Sequence, residues 1–390
     1  MTQGVSGAAC SRRDMAGYFL RLGLTGFGGP LGLANHMRHD LVEQRGWLKE
    51  SEYEDGLAIA TACPGPLAYQ LGVYCGYVRF GIPGALLVAV TFALAPFLIV
   101  SLLAALYLRF AGAWEIRAIF YGVAPVIVAL ILKASWQLGR KTLKGNVGAW
   151  LFAITAAAVT VILERELVSL FIGAGLLGSL WFSRGKASPP PVKPAAGALL
   201  AFGIGSAGMQ APAMNLFLFF FKTGFLVFGS GLVIAPFLKA YVVDQYHWLT
   251  DRQFIDAVAI GMVTPGPVVI TATFVGYLVD GFVGGLVATI GIFLPAVIFT
   301  IVAAPVLRRY RSNPYVQGFV RGIVSAVVGA LLGTTVLVAR TSIGDVFTAI
   351  VALAGLAIVL RWAKLPEPLI VLGGAGAGLA LYPWLQPVWL

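Results

Sequence analysis

Charge is scarce in this sequence. Only 11% of its 390 residues are Asp, Glu, Lys or Arg, while 59% are hydrophobic; a soluble domain carries about 25% charged residues. A water-facing surface of ordinary extent cannot be made from that composition, so a lipid bilayer must be the solvent. Cysteine is nearly absent as well. Cys10, Cys63 and Cys75 form neither a metal-ligand spacing nor an even disulfide framework, and they read as small buried hydrophobes. There is no phosphate-cradling G-x-x-x-x-G-K-[ST] loop, which excludes ATP hydrolysis as the energy source. No His/Glu metal motif, Asp-rich prenyl-transferase motif or other catalytic constellation is found, so neither metal, cofactor nor enzymatic activity is expected. Ser11-Arg12-Arg13-Asp14 slightly resembles a twin-arginine signal, but no small-residue cleavage site follows; a cytoplasmic flank is the expectation.

What is present is length of apolar run. Residues 81–108 and 281–307 each exceed the roughly 20 residues that cross about 30 Å of hydrocarbon as a helix. They lack the alternation of a membrane β-barrel. The net charge of +11 would suggest nucleic acid in a soluble protein; here it reports Lys and Arg gathered in cytoplasmic loops, and no nucleic-acid partner is expected.

The chain also repeats itself. At a shift of 201 residues Phe27-Gly28-Gly29 meets Phe228-Gly229-Ser230, Trp47-Leu48 meets Trp248-Leu249, Asp55 meets Asp256, and Pro64-Gly65-Pro66 meets Pro265-Gly266-Pro267. The shift slips to 200 at Gly76-Tyr77 and Gly276-Tyr277, and to 199 at Pro96 and Pro295. Each half offers six apolar segments: 16–36, 56–79, 81–108, 117–138, 147–163 and 167–183, then 214–238, 255–279, 281–307, 318–339, 343–360 and 366–384. The domains expected are a first transmembrane repeat, 16–183, a basic Pro-rich linker with one connecting helix, 184–213, and a second repeat, 214–390. If the weak apolar stretch 195–211 crosses the membrane, most Lys and Arg fall on one side, and Arg308, Arg309 and Arg311 stay inside. If it does not, that cluster faces outward, against the positive-inside rule. The expected fold class is therefore an all-α polytopic membrane protein of two inverted-topology homologous repeats. It would have about 13 helices, some interrupted at Pro-Gly-Pro, with the N-terminus cytoplasmic and the C-terminus periplasmic in a bacterial inner membrane. Inverted repeats are typical of secondary transporters.

Proline removes a backbone donor and clashes with the preceding turn, so Pro64-Gly65-Pro66 and Pro265-Gly266-Pro267 should break their spans. The helix should restart with proline in its first turn, and such a restart places bare N–H groups and the positive helix end inside the membrane, where an anion can bind. Gln70, Tyr69, Thr264 and Thr271 flank the breaks. A packing kink is the alternative reading. Gly28, Gly29, Gly229, Ser230 and Gly231 form a second paired element, read as close helix packing, as irregular backbone at the site, or both. Arg21 and Lys222 align within the first segment of each half. A symmetric pair of cations would suit a divalent anion; snorkelling to the interface is the alternative. Asp55 and Asp256 are candidate proton carriers, or else charged residues at a helix start. His36, His39 and His247 fall in the first loops of the halves, where solvation is the ordinary reading.

With these residues in hand the sequence resembles the long-chain chromate ion transporter family over residues 16–385. The resemblance is carried by Phe27-Gly28-Gly29-Pro30, the run Ala60 to Pro66, Gln70, Gly76-Tyr77, Phe228-Gly229-Ser230-Gly231, Thr264-Pro265-Gly266-Pro267 and Gly276-Tyr277. It implies secondary export of chromate from the cytoplasm, driven by the membrane potential or a proton gradient, chromate resistance, competition by sulfate, and antiparallel halves. The expected partners are a small oxyanion and the bilayer, with a homodimer as the candidate assembly. An oxyanion uptake carrier, a passive anion channel of the same build and a membrane-embedded enzyme are the competing readings.

Overall fold

The computed structural model describes residues 10–27, 29–110, 113–163, 168–183, 212–229, 234–303, 313–362 and 365–385. The connecting stretch 195–211, and with it the expected linker helix, lies outside the described residues, as do Gly28, Ser230 and Gly231. The first half contains α1 (Arg12–Thr25), α2 (Gly29–Arg38), α3 (Glu50–Ala62), α4 (Leu67–Phe110), α5 (Trp114–Thr142), α6 (Val147–Leu163) and α7 (Val168–Ser183). The second contains α8 (Pro212–Gly224), α9 (Ile234–Phe237), α10 (Asp251–Val263), α11 (Thr271–Ile298), α12 (Pro314–Ser342), α13 (Val346–Arg361) and α14 (Glu367–Leu385). A π-helical turn continues α2 (His39–Gln44), α9 (Leu238–Gln245) and α11 (Phe299–Ala303). Leu67–Phe110, Trp114–Arg140, Val268–Val302 and Pro314–Ser342 are long and apolar enough to cross a membrane, so the protein is a multi-pass membrane protein.

The segments 16–36 and 56–79 were expected as single crossings, and the structure corrects this. Each doubles back. α1 and α2 meet where Gly26 comes against the Leu33 side chain, and further out Arg45 lies over the Tyr18 ring at 5.5 Å. α3 and residues 67–80 meet through Gly56 against Tyr74, with Ile59, Cys63 and Tyr74 packed in one cluster. Arms of 13 and 14 residues extend only about 20 Å at 1.5 Å per residue, short of the hydrocarbon thickness. The chain then turns again at Gly81 (φ 65°, ψ −151°) and at its equivalent Gly281 (φ 57°, ψ −151°), backbone conformations that only glycine holds without strain. Beyond these turns α4 and α11 run back along their own first arms: Tyr69 Oη donates to Ala89 O at 3.1 Å, and Thr273 and Thr289 share a 2.6 Å hydrogen bond.

The halves interlock. α12 packs on α6 and α7, and α5 packs on α13 and α14. Small residues permit the approach: a Cβ on Gly178 would lie 2.7 Å from Gly322 Cα, and one on Gly378 would lie 2.8 Å from Gly122 N. These two contacts are mates under a 200-residue shift. α5 and α12, which are equivalent helices, run antiparallel, with Gly139 beside Val328 and Arg321 Nη2 donating to Thr142 O at 3.4 Å.

Candidate functional site

Both Pro-Gly-Pro motifs sit at the tips of the doubled-back arms. α3 ends at Ala62 and α10 at Val263, and each chain is extended at the next residue, Cys63 (φ −97°, ψ 152°) or Thr264 (φ −74°, ψ 134°). The restart differs in detail from expectation: the second prolines stand just before the new helix, not inside its first turn. α4 begins at Leu67, and Pro267 (φ −70°, ψ 125°) caps a short 3-10 turn, Val268–Ile270. The reason lies in the glycine between them. Gly65 has φ 142° and Gly266 φ 100°, so the turn is made there and the following proline serves as an extended lead-in.

Each tip is tethered to the other half. Gly65 N–H donates to Val227 O at 2.6 Å, and Gly266 N–H donates to Gly26 O at 2.8 Å. In the first case the contact extends to a short parallel pairing of Gly65 with Phe228 and Pro66 with Gly229. The two glycine-containing breaks thus supply acceptors to the two proline-containing tips. Between the tips is a small, partly open pocket lined by Pro30, Leu33, Pro66, Leu67, Ala68, Gly266, Pro267 and Val268. Helix-starting turns of both halves therefore face one space, and the first N–H groups of a helix have no partner within it.

Gln70, expected from the sequence to flank the break, lies in the first turn of α4 against the Gly65 tip. It is fully buried, and neither Nε2 nor Oε1 has a hydrogen-bond partner. Its Oε1 would lie 2.9 Å from a Cβ built on Gly65, so the amide is held against the tip. A buried amide without partners costs about 1–3 kcal/mol. Its equivalent, Thr271, is satisfied by its own turn, donating to Val268 O at 2.8 Å, and Thr264 donates to Ile260 O at 2.7 Å. Neither threonine has a hydroxyl proton left for a ligand.

Pro64, Gly65, Pro66, Gln70, Gly229, Pro265, Gly266 and Pro267 are brought together; Gly29 opens α2 next to pocket-lining Pro30. Arg21 is not part of this group. The buried residues of α1 are Met15, Tyr18, Phe19, Leu22 and Gly23, and Arg21 points to the exposed side. Lys222 is half-buried. Asp55 and Asp256 are the sixth residues of their helices rather than first-turn residues, which are Glu50, Glu52 and Asp251; the helix-start reading is thereby corrected. Asp55 is half-buried, whereas Asp256 is 1% exposed and accepts a 2.7 Å hydrogen bond from Tyr107 Oη. Tyr107 was missed by sequence reasoning, since a lone tyrosine near the end of an apolar run carries no signal of its partner.

The family model described as chromate transporter matches the chain twice, over residues 13–179 and 214–379. The chain belongs to the chromate transporter family. It is 44% identical over 383 residues to the chromate transport protein of Cupriavidus metallidurans, covering 96% of this chain and 94% of the relative. It is 40% identical over 387 residues to the probable chromate transport protein of Synechococcus elongatus, covering 96% of each. The chromate transport protein of Pseudomonas aeruginosa is 31% identical over 94% of this chain and 91% of its own length. No solved structure matches the chain. Membership makes this a membrane transport protein. Of the two stretches that the family model matches, each includes one of the paired tips.

Proposed function

We propose that this protein is a secondary carrier that exports chromate from the bacterial cytoplasm, with the anion bound between the two Pro-Gly-Pro tips. The observation that carries the reading is Gln70: a fully buried amide, unbonded at both ends and held against Gly65, in the first turn of α4. An amide Nε2 has two protons to give to oxyanion oxygens, and the helix starts add N–H groups and positive potential. A tetrahedral dianion fits that donor set, so sulfate would compete. Arg21 and Lys222 act at longer range, raising the local concentration of anion rather than touching it.

We further infer that the halves are inserted oppositely. Equivalent long apolar helices, α5 and α12, run antiparallel, and the tip-to-break hydrogen bonds are reciprocal between halves; both features suit a two-fold axis in the membrane plane. The Lys and Arg excess then favours a cytoplasmic N-terminus in the inner membrane, and one repeat rocking against the other would alternate access. The test is labelled chromate in inside-out vesicles holding the full chain. Export predicts accumulation that needs an ion gradient and no ATP. Absence of accumulation would remove export, and flux that only ran downhill would make the protein a passive channel.

A further inference from the structure

We propose that Asp256 carries the proton exchanged against the anion, one such site on one half of a duplicated protein, held by Tyr107 of the other half. This rests on the transport reading above and deepens it. Asp256 lies on α10, 1% exposed, and its Oδ2 accepts from Tyr107 Oη at 2.7 Å across 149 residues of sequence. The ionisable groups that act on it among the described residues are Tyr107, from the far end of α4, and Arg252, one turn earlier on α10. From α5 and α11 the contribution is aromatic: Phe120 and Phe274 pack edge-on to the Tyr107 ring at 5.8 and 5.3 Å. A carboxylate this deep, with one neutral donor in contact, is costly to keep charged, so its protonated form is within reach of the cycle.

The equivalent position differs in burial. Asp55 is half-buried on α3, behind a first turn that already holds Glu50 and Glu52, so exchange would involve a single proton site. Protonation also changes the bond between the halves. The carboxylate accepts a charge-assisted bond from Tyr107; the neutral acid is a weaker acceptor for that hydroxyl and gains an O–H that needs an acceptor of its own. Taking up one proton from water on one face and releasing it to water on the other would therefore favour different relative positions of α4 and α10, while the anion moves the opposite way. Asp256 lies about 10 Å, at 1.5 Å per residue, before the end of α10 at Val263, so it does not touch an anion held at the tip beyond.

The experiment uses the full chain in proteoliposomes, with two readouts: exchange of chromate at equal pH, and accumulation of chromate driven by a pH gradient. The wild type should show both; no exchange would overturn the transport reading and this inference with it. Asp256→Asn should keep exchange and lose pH-driven accumulation at least tenfold, and Asp55→Asn should keep both. Full pH-driven accumulation in Asp256→Asn would overturn the proposal, as would a folded variant inert in both assays. Should Asp256→Asn fail to fold, Tyr107→Phe decides. Losing a donor to the charged form disfavours that form, so the pH midpoint of transport should move upward with the maximal rate retained. An unchanged midpoint would overturn the proposal.

Discussion

The amide of Gly65 donates to the carbonyl of Val227 at 2.6 Å, and the mate of this bond, Gly266 to Gly26, is 2.8 Å. A proline-free position is required for each donor, and a glycine for each backbone turn. This explains why the motif is Pro-Gly-Pro and not a longer proline run. Proline ends one arm, glycine bends and donates, and the next proline stiffens the approach to the restart.

Gly65→Ala should therefore fail twice. At φ 142° an alanine is strained by about 1–3 kcal/mol, and its Cβ would press on Gln70 Oε1 at 2.9 Å and Ala296 at 3.0 Å. Chromate flux in proteoliposomes is expected to fall at least tenfold, with thermal stability in detergent lowered. Gly266→Ala, at φ 100° and 3.1 Å from Pro96, should do the same. Normal flux in either would disconnect tip geometry from transport.

Gln70 offers a dissociation that a packing residue cannot. Replacing an unbonded buried amide by an apolar side chain of similar size removes a desolvation cost of about 1–3 kcal/mol, so Gln70→Leu should be as stable as the wild type or more so. If the amide holds the anion, the same variant should bind chromate about tenfold more weakly. Gln70→Glu, adding a negative charge, should abolish binding. A Gln70→Leu protein that transports normally would leave the unbonded amide without a role.

Much of this arrangement is legible in the sequence, and what is not has physical causes. The paired Gly and Pro positions announce the duplication and the breaks, because both residues are constrained by backbone geometry rather than by what surrounds them. Gln70 stands out because a polar residue inside an apolar run must be satisfied by something. The doubling back is hidden, since two short apolar arms joined by a buried tip have the same hydropathy as one crossing. The Tyr107–Asp256 bond joins residues 149 apart, beyond any local pattern. Arg21 shows a signal left unused: Met15, Tyr18, Phe19 and Leu22 are the buried set of α1, and helical periodicity puts residue 21 off that stripe.

The interlocking of the halves makes a stability prediction with a built-in control. A Cβ on Gly178 would meet Gly322 Cα at 2.7 Å and Gly318 O at 2.7 Å, whereas one on Gly173, in the same helix, would meet nothing within 4 Å. Overpacking of a close contact costs about 1–3 kcal/mol. Gly178→Ala should lower the unfolding temperature in detergent, and Gly173→Ala should not. Equal behaviour of the two would mean that α7 does not pack on α12 in the membrane.

Arg21 provides the last test, because a group that attracts an anion and a group that binds it respond differently to salt. Its side chain is on the exposed face of α1, four residues before Thr25, whose hydroxyl donates to Arg21 O at 2.9 Å. An exposed charge near an anion path raises local concentration by long-range attraction, and that attraction is screened beyond about 10 Å at 0.1 M ionic strength. Arg21→Gln should therefore raise the chromate KM several-fold at low ionic strength and much less at high salt, leaving kcat unchanged. A direct ligand would behave otherwise: its loss would raise KM by a similar factor at every salt concentration. That salt-independent outcome would move Arg21 into the binding site and require α1 to turn during the cycle.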